Sequence, residues 1–301
     1  MMKRRDFMTA AAMVSFATPA LFSREPIGRS GPAKFRPALA AYSLRDYFSF
    51  MKEKPKTPKA DGKAIDLFGF IDYCVEIGCD AAELTSYFFP PMSDDGLLLE
   101  LRQHAFLRGI TISGTAIGND FTVDDPSKLA AQIEYTNRWI KHAATLGAPH
   151  IRIFAGTAKQ LGESEAKMVG ICDAVSTCAK VAEQYGIFLG IENHGGITSS
   201  QLLQVMERVE SDWVGINLDT GNFVSEDPYK DMEVCVPYAV NIQLKPSLRT
   251  LEGKRVLADF ARMASIFRVS NYRGFVALEY EEERPYEQIP EWFQKMVIAF
   301  T

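Results

Sequence analysis

The chain has 301 residues, a formal net charge of −5 at pH 7 and a hydrophobic fraction of 47%. These values are typical of a soluble globular protein and exclude the disordered and fibrous classes. The slight acidity also argues against a nucleic-acid partner, since nucleic-acid binders usually carry a basic face.

The first 22 residues differ from the rest of the chain. A basic start with Arg4 and Arg5 leads into a short apolar stretch rich in alanine, which is too short to predict a membrane span. The arginine pair followed by Asp6-Phe7-Met8 resembles a twin-arginine export signal. We therefore expect a signal peptide over 1–22, with an uncleaved anchor as the alternative. A linker over 23–35, a catalytic domain over 36–301 and a periplasmic location without stable membrane insertion then follow.

One pattern recurs after residue 36. An apolar run ends in polar residues, an amphipathic helix follows, and a glycine precedes the next run. Glycines such as Gly147 are typical of helix ends because they tolerate a left-handed backbone. Asp125-Pro126 is typical of a helix start. Helices are predicted over 126–146 and 164–185, and strands are predicted over 38–42, 81–84, 110–115, 150–154, 187–191, 214–218, 239–244 and 275–279.

Strands that alternate with helices indicate parallel pairing, and eight such units predict a single-domain α/β protein with a (β/α)₈ TIM barrel. An open doubly wound sheet is the alternative, but it usually carries a glycine-rich phosphate loop after its first strand. The sequence "AAYSLRDYF" at that position has no such loop. The lysine-rich segment 51–63 is predicted to be a solvated loop. The five cysteines match no zinc spacing and are expected to be free, buried thiols, with a disulfide as the alternative in an oxidising compartment.

Polar residues close most of the predicted strands. In a barrel these strand ends meet at one mouth, where function is expected. Because successive side chains of a strand point to opposite sides, Gln243 and Lys245 share one face and so do Asn217 and Asp219. Several carboxylates brought together repel one another, so a cation, most simply a divalent metal, is expected to offset them. The strand-end residues are Glu83, Arg152, Glu192, Asp219, Gln243, Lys245 and Glu279.

Four motifs carry a family resemblance that extends from about Pro37 to Met296. In chain order, "GIENHGG", "GINLDTGN", "NIQLK" and "ALEYE" resemble motifs of the metal-dependent sugar phosphate isomerase/epimerase family, the xylose isomerase-like barrels. The resemblance implies a divalent metal held by Glu192, Asp219, Gln243 and Glu279. The sequence departs from the family at Gln243 and Asn222, where relatives often carry histidine, and at Pro246, where they often carry aspartate. An all-oxygen set favours Mn²⁺ or Mg²⁺, with Co²⁺ and Zn²⁺ as alternatives.

The resemblance also implies a reaction. A sugar or keto-sugar would lose a proton next to its carbonyl group, and the metal would stabilise the enediolate. Glu192 and Glu279 would carry the proton, and Glu83, Arg152, His194, Asn222 and Lys245 would contact the substrate. Alternatively, Glu83 braces Lys245 or a loop, and His194 bonds only to backbone. The histidine-rich, DNA-repairing endonuclease IV branch of the fold is not expected, because the chain has only four histidines.

Two other functions share this scaffold. A lyase or dehydratase of a keto-sugar or cyclitol would begin with the same proton abstraction and then expel a group. A non-catalytic barrel with an altered metal site would only bind carbohydrate. In each case the expected partner is a small carbohydrate, unphosphorylated if the chain is exported, and a homo-oligomer is one option for the assembly.

Overall fold

A computed structural model describes residues 24–301, so the predicted signal peptide lies outside the described residues. Eight parallel strands form a closed barrel in which every strand pairs with its neighbours in chain order. This confirms the predicted TIM barrel and rejects the open sheet. The barrel strands are β1 (Lys34–Ala40), β2 (Ala81–Thr85), β3 (Thr111–Ala116), β4 (His150–Ile153), β5 (Phe188–Glu192), β6 (Val214–Asp219), β7 (Ala239–Leu244) and β8 (Arg273–Leu278).

The helices surround the barrel. The two longest agree with the prediction to within one residue. In the first of them the Asp125 carboxylate accepts hydrogen bonds from the backbone N–H groups of Ser127 and Lys128, and Gly147 ends the helix at a φ of 78°. None of the helices in residues 24–301 is long and apolar enough to cross a membrane. They are α1 (Leu67–Glu76), α2 (Asp95–Leu107), α3 (Pro126–Leu146), α4 (Ala158–Leu161), α5 (Glu165–Tyr185), α6 (Ser199–Arg208), α7 (Pro228–Cys235), α8 (Phe260–Val269) and α9 (Pro285–Phe300).

The two sides of the barrel wall differ in chemistry. Apolar side chains such as Ile216, Leu218 and Ile242 belong to the main core, in which strands and helices pack together. The interior is lined with small residues on one side, where Ala38, Ala40, Ala81 and Ala277 form a separate cluster with Phe275. These small side chains leave room for longer polar groups from the opposite strands.

Two short antiparallel hairpins interrupt the barrel pattern, and the sequence did not predict them. One pairs Phe50–Met51 with Lys54–Pro55 inside the lysine-rich segment, which is mostly exposed as expected. The other pairs Ser247–Arg249 with Arg255–Leu257 between β7 and α8. The five cysteines are free thiols, and Cys79 is the one that is only half-buried.

The described part of the predicted linker, which begins at residue 24, is hydrogen-bonded to the barrel. The Arg29 guanidinium donates to the carbonyl oxygens of Pro237 and Ala239, and β1 begins at Lys34, two residues earlier than the predicted domain boundary. The Arg24 guanidinium donates hydrogen bonds of 2.7–2.9 Å to the carbonyl oxygens of Met206, Val209, Ser211 and Val214. The segment therefore fastens the amino-terminal ends of β6 and β7.

We predict that Arg24→Ala lowers the free energy of unfolding by about 2 kcal/mol, because four carbonyl oxygens lose a charged donor. Urea denaturation measures this change. Arg102→Ala is the control: Arg102 is exposed and makes one long bond, to Thr145, so its loss should change stability by less than about 0.5 kcal/mol. Equal effects of the two substitutions would show that Arg24 does not fasten the barrel.

Candidate active site at the barrel mouth

The strand-end side chains converge inside the carboxyl-terminal mouth of the barrel. The seven strand-end residues predicted from the sequence lie on β2, β4, β5 and β6 and at the ends of β7 and β8. None of them is more than 8% exposed. The seven are Glu83, Arg152, Glu192, Asp219, Gln243, Lys245 and Glu279.

Lys245 holds the centre of one charge cluster. Its Nζ lies 3.2 Å from Asp219 Oδ2, 3.0 Å from Glu279 Oε2 and 2.8 Å from Glu281 Oε2. Burial opposes the charged ammonium, but the three carboxylates outweigh burial and raise the pKa of Lys245 well above its ordinary value. Lys245 is therefore positively charged. The sequence reasoning missed Glu281, although it lies two residues after Glu279.

The turn after β6 positions Asp219. The Asn193 side chain donates to the Asp219 carbonyl oxygen and accepts from the Asp219 backbone N–H, both at 2.8 Å. Asn193 thus secures the strand end. The Asp219 carboxylate also accepts a hydrogen bond from the Gly221 N–H at 2.8 Å. Its second oxygen, Oδ2, is left facing Lys245.

Burial leaves the charges of Asp219 and Glu279 incompletely compensated. Burial raises the pKa values of both groups, and repulsion from neighbouring carboxylates adds to this, while Lys245 opposes it. At the less buried Glu281 the effect of Lys245 outweighs burial and lowers the pKa. A proton is therefore held more tightly at Asp219 and Glu279 than in water. That property suits a group that must bind and release a proton near neutral pH.

A second cluster pairs Arg152 with Glu192. Arg152 Nε lies 2.9 Å from Glu192 Oε2, and Asn222 Nδ2 donates to Glu192 Oε1 at 2.8 Å. The guanidinium lies 4.2 Å from the centre of the Phe154 ring. Burial disfavours the charge of Arg152, but the Glu192 carboxylate outweighs burial and raises the pKa of Arg152. Both oxygens of Glu192 are thus occupied.

A network of buried amides surrounds Glu83. Gln243 Nε2 donates to Glu83 Oε1 at 2.7 Å, and Asn241 Nδ2 donates to Glu83 Oε2 at 2.9 Å. Asn217 Nδ2 in turn donates to Gln243 Oε1 at 2.7 Å. Glu83 is therefore braced by Gln243 and Asn241 rather than paired with Lys245. The sequence analysis placed Asn217 on the same face as Asp219 but gave it no role.

Glu83 is the carboxyl group in this network that can change charge near neutral pH. Burial raises its pKa to about 7, with a further rise from Glu279 and an opposing effect of the donor from Gln243. His150 Nε2 lies 3.9 Å from Glu83 Oε2. Burial lowers the pKa of His150 to about 4, so its imidazole is neutral and does not compensate Glu83.

His194 lies apart from the buried set. It is exposed at the rim, and its ring centre is 4.6 Å from that of Phe154, the ring that supports Arg152. Its backbone N–H donates to the Glu192 carbonyl oxygen at 2.9 Å. Asn222 is half-buried and contacts Glu192. The expected substrate contacts of these two residues stay predictions.

The four expected metal ligands do not present a common set of free oxygens. Glu192 is occupied by Arg152 and Asn222, and the Gln243 oxygen accepts from Asn217. Asp219 and Glu279 face Lys245. Within residues 24–301 no group of three or more His, Cys, Asp or Glu side chains is arranged to hold a metal ion. In this arrangement the donors do not fit a divalent metal, and the ligand assignment stays a prediction.

Comparison with known proteins places this geometry in a family. The family model described as the xylose isomerase-like TIM barrel matches residues 71–296. The chain belongs to the xylose isomerase-like TIM barrel family. This confirms the family resemblance that the four motifs carry.

Relatives in this family perform different chemistry. The 3-oxo-isoapionate decarboxylase of Pectobacterium atrosepticum is 24% identical over 208 residues, which are 68% of each chain. D-psicose 3-epimerase from Clostridium cellulolyticum H10, solved with D-tagatose, has a TM-score of 0.69 at 15% identity and covers 88% of this chain and 99% of its own. The IolI protein with a bound zinc atom has a TM-score of 0.67 at 14% identity, over 88% of this chain and 96% of its own.

We predict that Glu83 makes stability fall as pH rises. The folded protein binds a proton at Glu83 up to about pH 7, whereas the unfolded chain releases it near 4.5. Because the folded state then binds more protons in this window, the free energy of unfolding should decrease by up to about 3 kcal/mol between pH 4.5 and 8. Urea denaturation across this range measures the slope.

Glu83→Gln should reduce that slope, because an amide does not titrate, while the raised pKa values of Asp219 and Glu279 maintain the remainder. Glu76→Gln is the matched control, since Glu76 is exposed on α1 and its loss should leave the slope unchanged. An unaltered slope in Glu83→Gln would show that the pKa of Glu83 is not raised in the folded protein.

Proposed function

We propose that the chain is an isomerase or epimerase of a sugar or keto-sugar and moves a proton at the carbon next to a carbonyl group. One observation carries the proposal: the mouth holds two buried carboxylate–cation pairs. Glu192 of β5 lies beside Arg152, and Glu279 after β8 lies beside Lys245. One pair comes from β4 and β5 and the other from the ends of β7 and β8, with β6 between them, so a substrate in the mouth would meet both pairs.

Each pair supplies both functions that such a reaction needs. A carboxylate takes or returns the proton, and efficiency is greatest when its pKa lies near the working pH. The raised pKa of Glu279 favours this role. The neighbouring cation stabilises the negative charge that develops on the carbonyl oxygen, and it acts more strongly in a buried site than in water. Arg152 and Lys245 are both at most 8% exposed.

The relatives support this class of chemistry. Epimerising a ketose at carbon 3 begins with loss of the proton next to the carbon-2 carbonyl. Decarboxylating a 3-oxo acid breaks a different bond but leaves the same kind of enolate. The proteins named D-psicose 3-epimerase and 3-oxo-isoapionate decarboxylase therefore both need a stabilised oxyanion. The proposed substrate class for this chain is a small sugar or keto-sugar.

A lyase is the second candidate. The curated relative is a decarboxylase, which releases a group from its substrate. The two carboxylate–cation pairs would stabilise an enolate whether a proton returns to the carbon or a neighbouring group leaves. The difference lies in the product, which the assay below identifies.

Dependence on a divalent metal, which the sequence motifs imply, also remains a proposal. Four carboxylates of the mouth are buried, against two cations, and the IolI structure holds zinc. A metal at Glu192, Asp219, Gln243 and Glu279 would supply Lewis-acid chemistry to substrate oxygens. Binding it would first require Lys245 and the partners of Glu192 and Gln243 to give up their present contacts.

Export to the periplasm also remains a proposal, because it rests on residues 1–22. Fractionation of cells that express the full chain tests it. Recovery with the periplasmic fraction, lost when Arg4 and Arg5 are replaced by lysine, is the expected result. Recovery with the cytoplasm would contradict it.

We predict that the protein exchanges a carbon-bound hydrogen of a ketose or 3-keto-sugar with solvent deuterium, as measured by NMR and mass spectrometry over a panel of sugars. Glu279→Gln and Glu192→Gln should each slow exchange at least about 100-fold, because the amide cannot carry the proton. Glu287→Gln, on the exposed face of α9, is the control and should exchange normally.

The product identifies the class. Exchange without loss of a group indicates an isomerase or epimerase, and exchange with release of water or carbon dioxide indicates a lyase. Unchanged exchange in Glu279→Gln would remove Glu279 from the mechanism. Failure of the wild-type protein to exchange with any sugar in the panel would contradict the proposal and favour a barrel that only binds carbohydrate.

A further inference from the structure

We propose that the ammonium group of Lys245 is the resident cation of the mouth and excludes a divalent metal from Asp219 and Glu279. This inference deepens the proposed function. Only the activity measurement described below depends on that function. Metal binding itself is tested independently of any reaction.

The geometry of the Lys245 cluster leaves no place for a second cation. Three carboxylate oxygens, from the end of β6 and from the segment after β8, lie within 3.2 Å of one nitrogen atom. Lysine offers three N–H donors, one for each of these oxygens. A divalent ion bonded to Asp219 and Glu279 would place its two charges within a few ångströms of the ammonium, and the two cations would repel strongly in this buried site.

Lys245 is also fixed in this position. Its backbone N–H donates to Thr220 Oγ1 at 2.9 Å. Its side chain runs over Gly221, where an added Cβ would come within 2.8 Å of Lys245 Cδ. The glycine thus provides the space along which the lysine stem lies. The stem is packed, unlike that of a surface lysine, so it cannot swing aside without loss of these contacts.

The other groups that a metal would need are also occupied. The Gln243 amide is oriented by two partners: it donates to Glu83 and accepts from Asn217. Its oxygen is therefore directed at an N–H donor instead of a cation. Glu192 has Arg152 on one oxygen and Asn222 on the other. Each group that a metal would recruit already has a partner within the protein.

This arrangement has a chemical consequence. Lys245 supplies one positive charge and three hydrogen-bond donors, whereas a metal supplies two charges and open coordination positions. The oxyanion of the reaction intermediate would then be stabilised by hydrogen bonds from Lys245 and Arg152.

Manganese binding tests the proposal directly. Mn²⁺ is titrated into the chelator-treated full-length protein, and free Mn²⁺ is followed by electron paramagnetic resonance. The wild type should show no tight stoichiometric binding, and Lys245→Met should bind Mn²⁺ at least about tenfold more tightly, because Asp219 and Glu279 lose their competing cation. Lys295→Met is the control. Lys295 pairs with Glu291 on the surface, so the affinity of this variant for Mn²⁺ should equal that of the wild type.

One tightly bound Mn²⁺ per wild-type chain would overturn the proposal, and so would a Lys245→Met variant that binds no more tightly than wild type. Circular dichroism establishes that the variant is folded. If it is not, Lys245→Gln gives the same comparison with a polar, uncharged side chain, and Lys245→Arg should continue to exclude Mn²⁺.

Activity separates this inference from the proposed function. Deuterium exchange by the chelator-treated wild type should persist at its full rate. Exchange that appears only when Mn²⁺ or Mg²⁺ is added would overturn the role of Lys245 and leave the proposed function intact. Absence of exchange under both conditions would contradict the proposed function. The Mn²⁺ binding comparison would still show whether Lys245 excludes a metal from Asp219 and Glu279.

Discussion

Four carboxylates buried in one end of a barrel must be compensated, and the structure of the mouth follows from that constraint. Charge taken out of water is costly unless it is paired and hydrogen-bonded. Glu192 is paired with Arg152, Asp219 and Glu279 share Lys245, and Glu83 has amide donors together with a pKa raised to about 7. The ammonium of Lys245 is central, because it joins carboxylates from two separate strands of the wall.

The fold makes this arrangement attainable. Parallel strands deliver their last side chains to the same end of the barrel, so residues far apart in sequence meet there. The interior is narrow, and alanines of β1, β2 and β8 leave space for long polar groups from the other strands. Gly221 and Gly114 extend this effect, because side chains there would collide with Lys245 and with the His150 ring. The small residues therefore determine where the charged ones can lie.

Much of this architecture was predictable from the sequence, and the exceptions have physical reasons. Asp125-Pro126 and Gly147 predicted α3 to the residue, since caps act locally. Alternation placed Gln243 and Lys245 inside the barrel. It could not reveal that Gln243 would bond to Asn217 and Glu83, because side-chain partners depend on neighbouring strands and their register. The hairpin strands Ser247–Arg249 and Arg255–Leu257 are too short to show a hydrophobic period. Arg24 binds backbone carbonyl groups, which every residue carries, so the sequence does not indicate its partners.

The identity of the cation decides how the mouth works, and one measurement addresses it most directly. Crystals grown with excess MnCl₂ would be examined by anomalous diffraction at the manganese edge. The account predicts no manganese peak between Asp219 and Glu279, with Lys245 Nζ in hydrogen-bond contact with both carboxylates. An anomalous peak bonded to Asp219 and Glu279, with Lys245 displaced, would contradict it.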